Sequence, residues 1–215
     1  MALDAAAFIR VNTRPGRPPL VPELLLHLAD AVTPLWQASE AWLAEVNVAP
    51  PYWAFAWPGG QALARWVLDA PAQVAGRRVL DFAAGCGVAA LACARAGAAR
   101  VEAAEIDAVA AAAIGLNAEL NGLKIAVRHA DLVGSVGDWD VILCGDICYE
   151  APMTRHVLPW LRACAGQAEV WIADPGRAYL PAGMAAVARY DVATSLDLED
   201  RTMRPTTIYR LASDG

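Results

Sequence analysis

The sequence predicts an α/β fold: a mostly parallel sheet covered by helices on both faces and closed by an antiparallel pair of strands at the C-terminus. Three observations carry that expectation. Short apolar runs alternate with longer Ala-rich helical stretches between about residues 78 and 173, the pattern of successive strand–helix–strand units. The first run ends in a turn of small residues, Asp81-Phe82-Ala83-Ala84-Gly85-Cys86-Gly87, that opens a helix. The last two runs leave no room for a crossover helix, so they must pair antiparallel.

Taken in order, residues 1–50 read as a helical N-terminal extension packed on the core. Proline-rich Arg14–Pro22 interrupts it, and Pro22 stands beside the start of a helix over Glu23–Ala31. A second helix over about Pro34–Val46 carries Leu35, Trp36, Trp42 and Leu43, and Pro50-Pro51 ends it. Residues 51–215 form the main domain, in a chain that is a single domain overall. Strands are expected over Arg78–Phe82, Arg100–Ile106, Ile125–His129, Asp140–Cys144 and Glu169–Ala173. Between them, helices are expected over about Val88–Ala96, Val109–Asn121 and Pro152–Ala165. Arg189–Leu196 and Met203–Leu211 make the terminal hairpin across a short polar turn.

Composition sets the outer bounds. A chain of 215 residues, 57% apolar and 19% charged, suffices for one well-buried domain. Its net charge of −6 argues against a nucleic-acid binder that works by neutralising phosphates, and is compatible with a basic partner surface. Cysteines 86, 93, 144, 148 and 164 form no Cys-x-x-Cys pair and have apolar or glycine neighbours. They are expected as reduced, mostly buried thiols in a reducing compartment. Three scattered histidines argue against a zinc site. No run approaches the roughly twenty apolar residues of a membrane span, and no basic start followed by an apolar core marks a signal peptide. A cytoplasmic location is the expectation.

In an open α/β sheet, ligands bind beyond the carboxyl ends of the strands. The expected strands deliver there Asp81 and the glycine turn, Glu105 with Asp107, Asp131, the run Gly145–Glu150, and Asp174-Pro175-Gly176-Arg177. An acid follows each of the five strands, which predicts an electronegative cleft for a cationic cofactor and a cationic substrate. Gly85 and Gly87 let a ligand come close to the backbone, and Glu105, eighteen residues past Gly87, suits a ribose diol. Asp131 is placed to meet an adenine edge.

Asp81 decides among nucleotides. A carboxylate beside this turn repels a pyrophosphate but attracts the amino group and sulfonium of S-adenosylmethionine. These residues together predict a methyltransferase. The pattern Gly85-x-Gly87-x-x-Ala90 also fits a nicotinamide-dependent dehydrogenase. Asp81, the terminal hairpin and the lack of a catalytic His or Lys/Tyr pair count against that alternative. Asp107 is expected to cap the helix that follows it, and His129 and His156 to be structural. Tyr52, Trp53, Phe55 and Trp57 read either as a hydrophobic anchor or, in part, as a roof over the cofactor.

Several segments together resemble one family. They are Pro51-Tyr52-Trp53-Ala54-Phe55-Ala56-Trp57-Pro58-Gly59-Gly60-Gln61-Ala62-Leu63, the Gly85-Cys86-Gly87 turn, Leu116-Asn117-Ala118-Glu119-Leu120-Asn121, Asp146-x-x-Tyr149 and Asp174-Pro175-Gly176-Arg177. They resemble the electron transfer flavoprotein β-subunit lysine methyltransferases, within the wider group of seven-stranded protein lysine methyltransferases that carry Asp-x-x-Tyr. The similarity runs from about Phe8 to the C-terminus.

The resemblance implies a Rossmann-like, seven-stranded class I fold that uses S-adenosylmethionine and releases S-adenosylhomocysteine. It implies a cofactor surrounded by Trp57, Asp81, Gly85, Gly87, Glu105 and Asp131, with Asp146 and Tyr149 at the methyl-acceptor end. Asp146 would orient the incoming lysine and Tyr149 would pack or hydrogen-bond beside it. It further implies a protein substrate, the flavoprotein β subunit, and a monomer that needs neither nucleic acid nor membrane. A bacterial cytoplasmic member without a mitochondrial presequence is the expectation. Another basic protein, such as a ribosomal protein, or a small molecule is the alternative acceptor. Two departures stand out: Glu105 replaces a frequent Asp, and Phe82-Ala83-Ala84 replaces the more usual Leu-Gly-Ser, a change expected to be tolerated.

Overall fold

The computed structural model describes residues 4–30, 50–194 and 202–213. Among the described residues, the N-terminal extension is helical only over α1 (Ala5–Asn12), whose first turn is capped by the Asp4 carboxylate accepting from the Ala7 N–H at 3.1 Å. Ile9 of α1 packs with Trp53, Phe55, Val109 and Leu116. Next come two short strands, β1 (Arg14–Gly16) and β2 (Leu26–Leu28), paired antiparallel.

Strand β2 lies where a helix over Glu23–Ala31 is expected from sequence, and the reason is tertiary. Asn121 brackets Leu25, accepting from its N–H at 3.0 Å and donating to its carbonyl at 2.6 Å. Asn117, fully buried, accepts from the His27 N–H at 2.7 Å. Backbone groups bonded sideways to another element cannot also close helical turns, so local propensity yields. The helix expected over Pro34–Val46 lies outside the described residues.

A helix not anticipated from the sequence follows, α2 (Pro58–Asp69). Proline at its first position suits the missing N–H, and Ala62, Leu63, Trp66 and Val67 give it a buried face. The regular alternation then begins. It runs β3 (Arg78–Phe82), α3 (Val88–Arg95), β4 (Arg100–Glu105), α4 (Ala108–Asn121), β5 (Ala126–His129), β6 (Val141–Gly145), α5 (Ala151–Cys164) and β7 (Glu169–Asp174). All five strands fall within a residue of the sequence expectation at each end. Gly122 ends α4 in the left-handed conformation that a side chain would disfavour.

The main sheet has seven strands in the order β5-β4-β3-β6-β7-β9-β8, with β8 (Ala185–Ala193) and β9 (Met203–Leu211) as the terminal pair. Strands β3 to β7 are mutually parallel, while β9 runs antiparallel to both β7 and β8. Alternation along β3 divides the core. Val79 packs with Leu63, Leu91 and Ile114 on one face, and Leu80 and Phe82 pack with Ile142, Trp160 and Ile172 on the other. All five cysteines are free thiols and four are buried. Among the described residues no helix is long and apolar enough to cross a membrane, and no cluster of His, Cys, Asp and Glu could hold a metal ion.

Candidate active site

Strand β3 has β4 on one side and β6 on the other, so the chain order reverses there, and a crevice opens at the carboxyl ends of the strands. A cavity of about 1170 Å³ occupies that position. It exceeds the roughly 300–1,000 Å³ of a usual small-ligand site, which leaves room for a cofactor and an entering side chain.

The wall formed by β3 and β4 is built around Gly85. This glycine has φ +56°, and a Cβ added there would meet nothing within 4 Å, so the turn is open on that side. The Glu105 carboxylate accepts the Gly85 N–H at 2.7 Å through Oε1 and the Ile106 N–H at 3.1 Å through Oε2. Each oxygen accepts one N–H and retains a second lone pair. Burial pushes the Glu105 carboxyl upward from its ordinary range and the two N–H groups oppose that. Farther along, Asp131 accepts from Val133 N–H at 2.9 Å and meets His156 Nε2 at 3.0 Å, contacts that hold it below the usual carboxylate range. Small residues Ala83, Ala104, Ala108 and Ala130 complete this side and keep it roomy. The donor set, an anchored carboxylate opposite an open glycine turn with an acid at the far end, fits a nucleoside-bearing cofactor.

The wall formed after β6 and β7 is built around Asp146. Its backbone is left-handed, φ +56°, a conformation that strains a non-glycine residue and recurs at functional sites. Oδ2 accepts from the first N–H groups of α2, Gly59 at 2.6 Å and Gly60 at 3.2 Å, while Oδ1 faces Arg177 Nη2 at 3.4 Å. Burial raises the Asp146 carboxyl to about 6 against the pull of Arg177, so it is ionised at neutral pH. Gly59 is obligatory here: a Cβ would stand 2.5 Å from both the Ala173 carbonyl and Asp146 Oδ2. Tyr149 is partly exposed, and its ring lies 5.7 Å from that of Tyr52. Tyr52 in turn lies 6.0 Å from Trp57, whose Nε1 donates to the Tyr52 carbonyl at 2.8 Å. Burial moves the Tyr149 hydroxyl up to about 12, so it stays a neutral phenol.

Of the eight residues singled out from sequence, Trp57, Gly85, Glu105, Asp131, Asp146 and Tyr149 line this one cavity. Asp81 and Gly87 are not among its lining residues. Asp81 is buried on the α3 side of the sheet, two residues from Val79 on the same face, and accepts the Ala90 N–H at 2.9 Å. It fastens α3 to the sheet. Gly87, with φ +76°, lets the chain turn into α3, and a Cβ there would press on Ile114 at 3.1 Å. Asp174 also faces inward: it accepts from Gly176 and Arg177 N–H groups at 2.7 and 2.6 Å and shapes the turn that carries Arg177. Asp107 caps α4 through the Val109 N–H at 2.8 Å, as expected.

Arg177, which the sequence reading brings to the ligand edge, and Tyr52, which it reads as anchor or roof, both line the cavity, as do His129 and His156, which it reads as structural. Arg177 and Tyr52 had a signal, since both sit inside segments that carry the family resemblance.

Comparison with known proteins agrees with this geometry. Residues 58–145 match the family described as Methyltransferase small domain. An electron transfer flavoprotein beta subunit lysine methyltransferase from Xenopus laevis is 37% identical over 213 residues, covering 94% of this chain and 85% of that protein. The chain belongs to that family. The human protein of the same name is 37% identical over 81% of this methyltransferase and 67% of its own length. Magnesium protoporphyrin IX methyltransferase from Synechocystis PCC 6803, solved with bound SAM, shares the fold at a TM-score of 0.53 and 17% identity, over 72% of this chain and 78% of that one. The molecule is therefore an S-adenosylmethionine-dependent methyltransferase of class I fold. The dehydrogenase alternative falls with that membership.

Proposed function

We propose that this methyltransferase transfers a methyl group from S-adenosylmethionine to a lysine side chain of the electron transfer flavoprotein β subunit. The observation that carries the reading is that Asp146 and Tyr149 share a single cavity with the Gly85–Glu105 turn. A cofactor-type wall and an anionic, aromatic acceptor wall therefore face the same space, and close relatives bear that activity in their names.

S-adenosylmethionine supplies a methyl group already activated toward a nucleophile. The protein's work is alignment and proton management. Glu105 would accept hydroxyl hydrogens of the ribose, and Asp131 would hold the adenine edge. Trp57, which lines the cavity just before α2, would cover the cofactor from that side. Asp146 Oδ1 draws in the lysine, and the Tyr52–Tyr149 pair flanks its hydrocarbon stem and excludes water. A free lysine, with a pKa near 10.4, is almost wholly protonated at neutral pH and must shed that proton before it can react.

The test is transfer of labelled methyl from S-adenosylmethionine to purified electron transfer flavoprotein, followed by peptide mass spectrometry. Methyl-lysine on the β subunit, lost in Asp146→Ala, is the expected result. Label confined to other proteins of a lysate would discard the flavoprotein as substrate, and label on no protein lysine would overturn the reading.

A further inference from the structure

We propose that Arg177 is the charge-balancing residue of the acceptor site, offsetting the Asp146 carboxylate so that the bound lysine amine can give up its proton. The inference rests on the lysine reading above. It answers a difficulty that Asp146 creates. An anion beside an amine favours the protonated form, and an ammonium has no lone pair with which to attack.

The geometry supplies the remedy. Asp146 Oδ2 is committed to the N–H groups of Gly59 and Gly60, so Oδ1 is the oxygen left to meet a substrate. Arg177 Nη2 stands 3.4 Å from that Oδ1, and both side chains line the cavity. Charge-assisted hydrogen bonds run nearer 2.7–2.9 Å, so this longer contact neutralises Oδ1 without saturating it. The side chains are 20% and 12% exposed, which limits screening by solvent. Arg177 is also held in place: Asp174 Oδ1 accepts both the Gly176 and Arg177 N–H groups, and Gly176 has φ +87° in the turn between them. Among the described residues it is the one Arg or Lys that lines the cavity.

Among the described residues, the other charged and titratable groups around the acceptor space are acids, phenols and the Cys148 thiol, while Arg204 acts on Asp174 behind Asp146. Asp174 lies behind Asp146, Glu105 comes from β4, Tyr149 and Glu150 follow β6, and Tyr52 precedes α2. His129, Asp107 and the Asp131–His156 pair lie along the same cavity. Without Arg177 this surround would hold an ammonium firmly. A guanidinium keeps its charge across the whole working pH range, whereas a histidine would lose it. With Arg177 in place, the amine enters, releases its proton to solvent, and turns its lone pair toward the methyl group.

The experiment compares wild type, Arg177→Gln and Arg177→Lys by the pH dependence of kcat at saturating flavoprotein and S-adenosylmethionine, which reports groups of the bound complex. In Arg177→Gln the rise of kcat with pH moves up by about one unit, so kcat is roughly 3-fold lower at pH 7.5 and restored near pH 9.5. KM for the flavoprotein at pH 9.5, where the Asp146 carboxyl is ionised with or without Arg177, does not rise, because an unbalanced carboxylate holds the ammonium at least as well, and the cofactor Kd is unchanged. Arg177→Lys keeps the wild-type profile. A kcat reduced equally at every pH, or KM and cofactor Kd rising together, would overturn the inference.

If Arg177→Gln does not fold, wild type still decides. Calorimetry of flavoprotein binding in the presence of S-adenosylhomocysteine, at pH 8 in buffers of different ionisation enthalpy, reads about one proton released per lysine bound. No release overturns the inference. Failure of wild type to methylate the flavoprotein at all refutes the lysine reading instead, which separates the two.

Discussion

On the Gly85 wall of the cavity, Glu105 receives the N–H of a glycine that opens a helix turn; on the opposite wall, Asp146 receives the N–H groups of Gly59 and Gly60 that open α2. Both carboxylates are largely buried and both are pushed upward by that burial. They differ in what else they face. Glu105 has backbone N–H groups from its own neighbourhood and an open turn before it, whereas Asp146 has a guanidinium from another strand end. The first arrangement suits a ligand held by fixed hydrogen bonds. The second suits a group whose charge has to change. Sequence distance differs as well: Gly85 and Glu105 are twenty residues apart, Gly59 and Asp146 eighty-seven.

The largest effect that would sharpen this contrast is on chemistry. Asp146→Asn keeps an oxygen for Gly59 but removes the charge, and is expected to lower kcat by about 10²-fold with little change in cofactor Kd. Glu105→Gln should do the reverse, weakening cofactor binding measured by calorimetry while leaving kcat at saturation nearly intact. Equal losses in both variants on both measurements would erase the distinction between the walls.

Next come the glycines. Gly59→Ala drives a Cβ into the Ala173 carbonyl and Asp146, and is expected to cost about 3 kcal/mol in denaturant unfolding. Gly85→Ala meets no atom and pays only the left-handed backbone strain, about 1 kcal/mol. Similar losses would show that the acceptor wall is no tighter than the cofactor wall.

Asn117 ties the Gly85–Gly87 turn to the N-terminal extension, donating to the Cys86 carbonyl at 2.9 Å while accepting from His27. Asn117→Ala strands both groups in the core. A loss of about 2 kcal/mol is expected, together with weaker cofactor binding. Loss of stability without any change in cofactor affinity would confine Asn117 to the scaffold.

Asp81 provides the pH test. Its carboxyl is raised from 3.8 to about 8 by burial, against the Ala90 N–H. Because the folded value lies above the unfolded one, the associated stability is present below pH 3.8 and is lost as pH rises through 8. Relative to Asp81→Asn, whose amide oxygen still accepts from Ala90, wild type should therefore fall by a few degrees in Tm between pH 4 and 8. A constant difference across that range would mean Asp81 is not the titrating group. The smallest effect belongs to Ala83, which is left-handed at φ 53°. Ala83→Gly relieves that strain and should gain about 0.5 kcal/mol after the greater chain entropy of glycine is offset.

Much of the sheet was legible because parallel strands buried on both faces are continuous apolar runs and their turns are marked by Gly and Asp. The N-terminal extension was not. Helical propensity in Glu23–Ala31 was overruled by Asn117 and Asn121, which lie about ninety residues away and bond to its backbone. Helix α2 was hidden because an aromatic cluster and two glycines obscure its helical period. In the site, an acid after each strand was read as one electronegative cleft. Their hydrogen-bond partners divided those acids: Asp81 and Asp174 anchor α3 and the Arg177 turn, while Glu105, Asp131 and Asp146 line the cavity.

The linear order of residues by itself determined the alternation of strands and helices, the antiparallel ending, the glycine turn with its acid about twenty residues on, and the family. Those features depend on periodicity, on positive-φ positions and on contacts between near neighbours, all of which are local. Only the tertiary structure decided which acids line the cavity and which hold the scaffold, that the first helix of the domain rests on Asp146, and that Arg177 stands against the same carboxylate. Those outcomes depend on the register of β3 against β6 and of β6 against β7, which brings together groups far apart in the chain. Burial then sets their charges, and burial is a property of the folded whole.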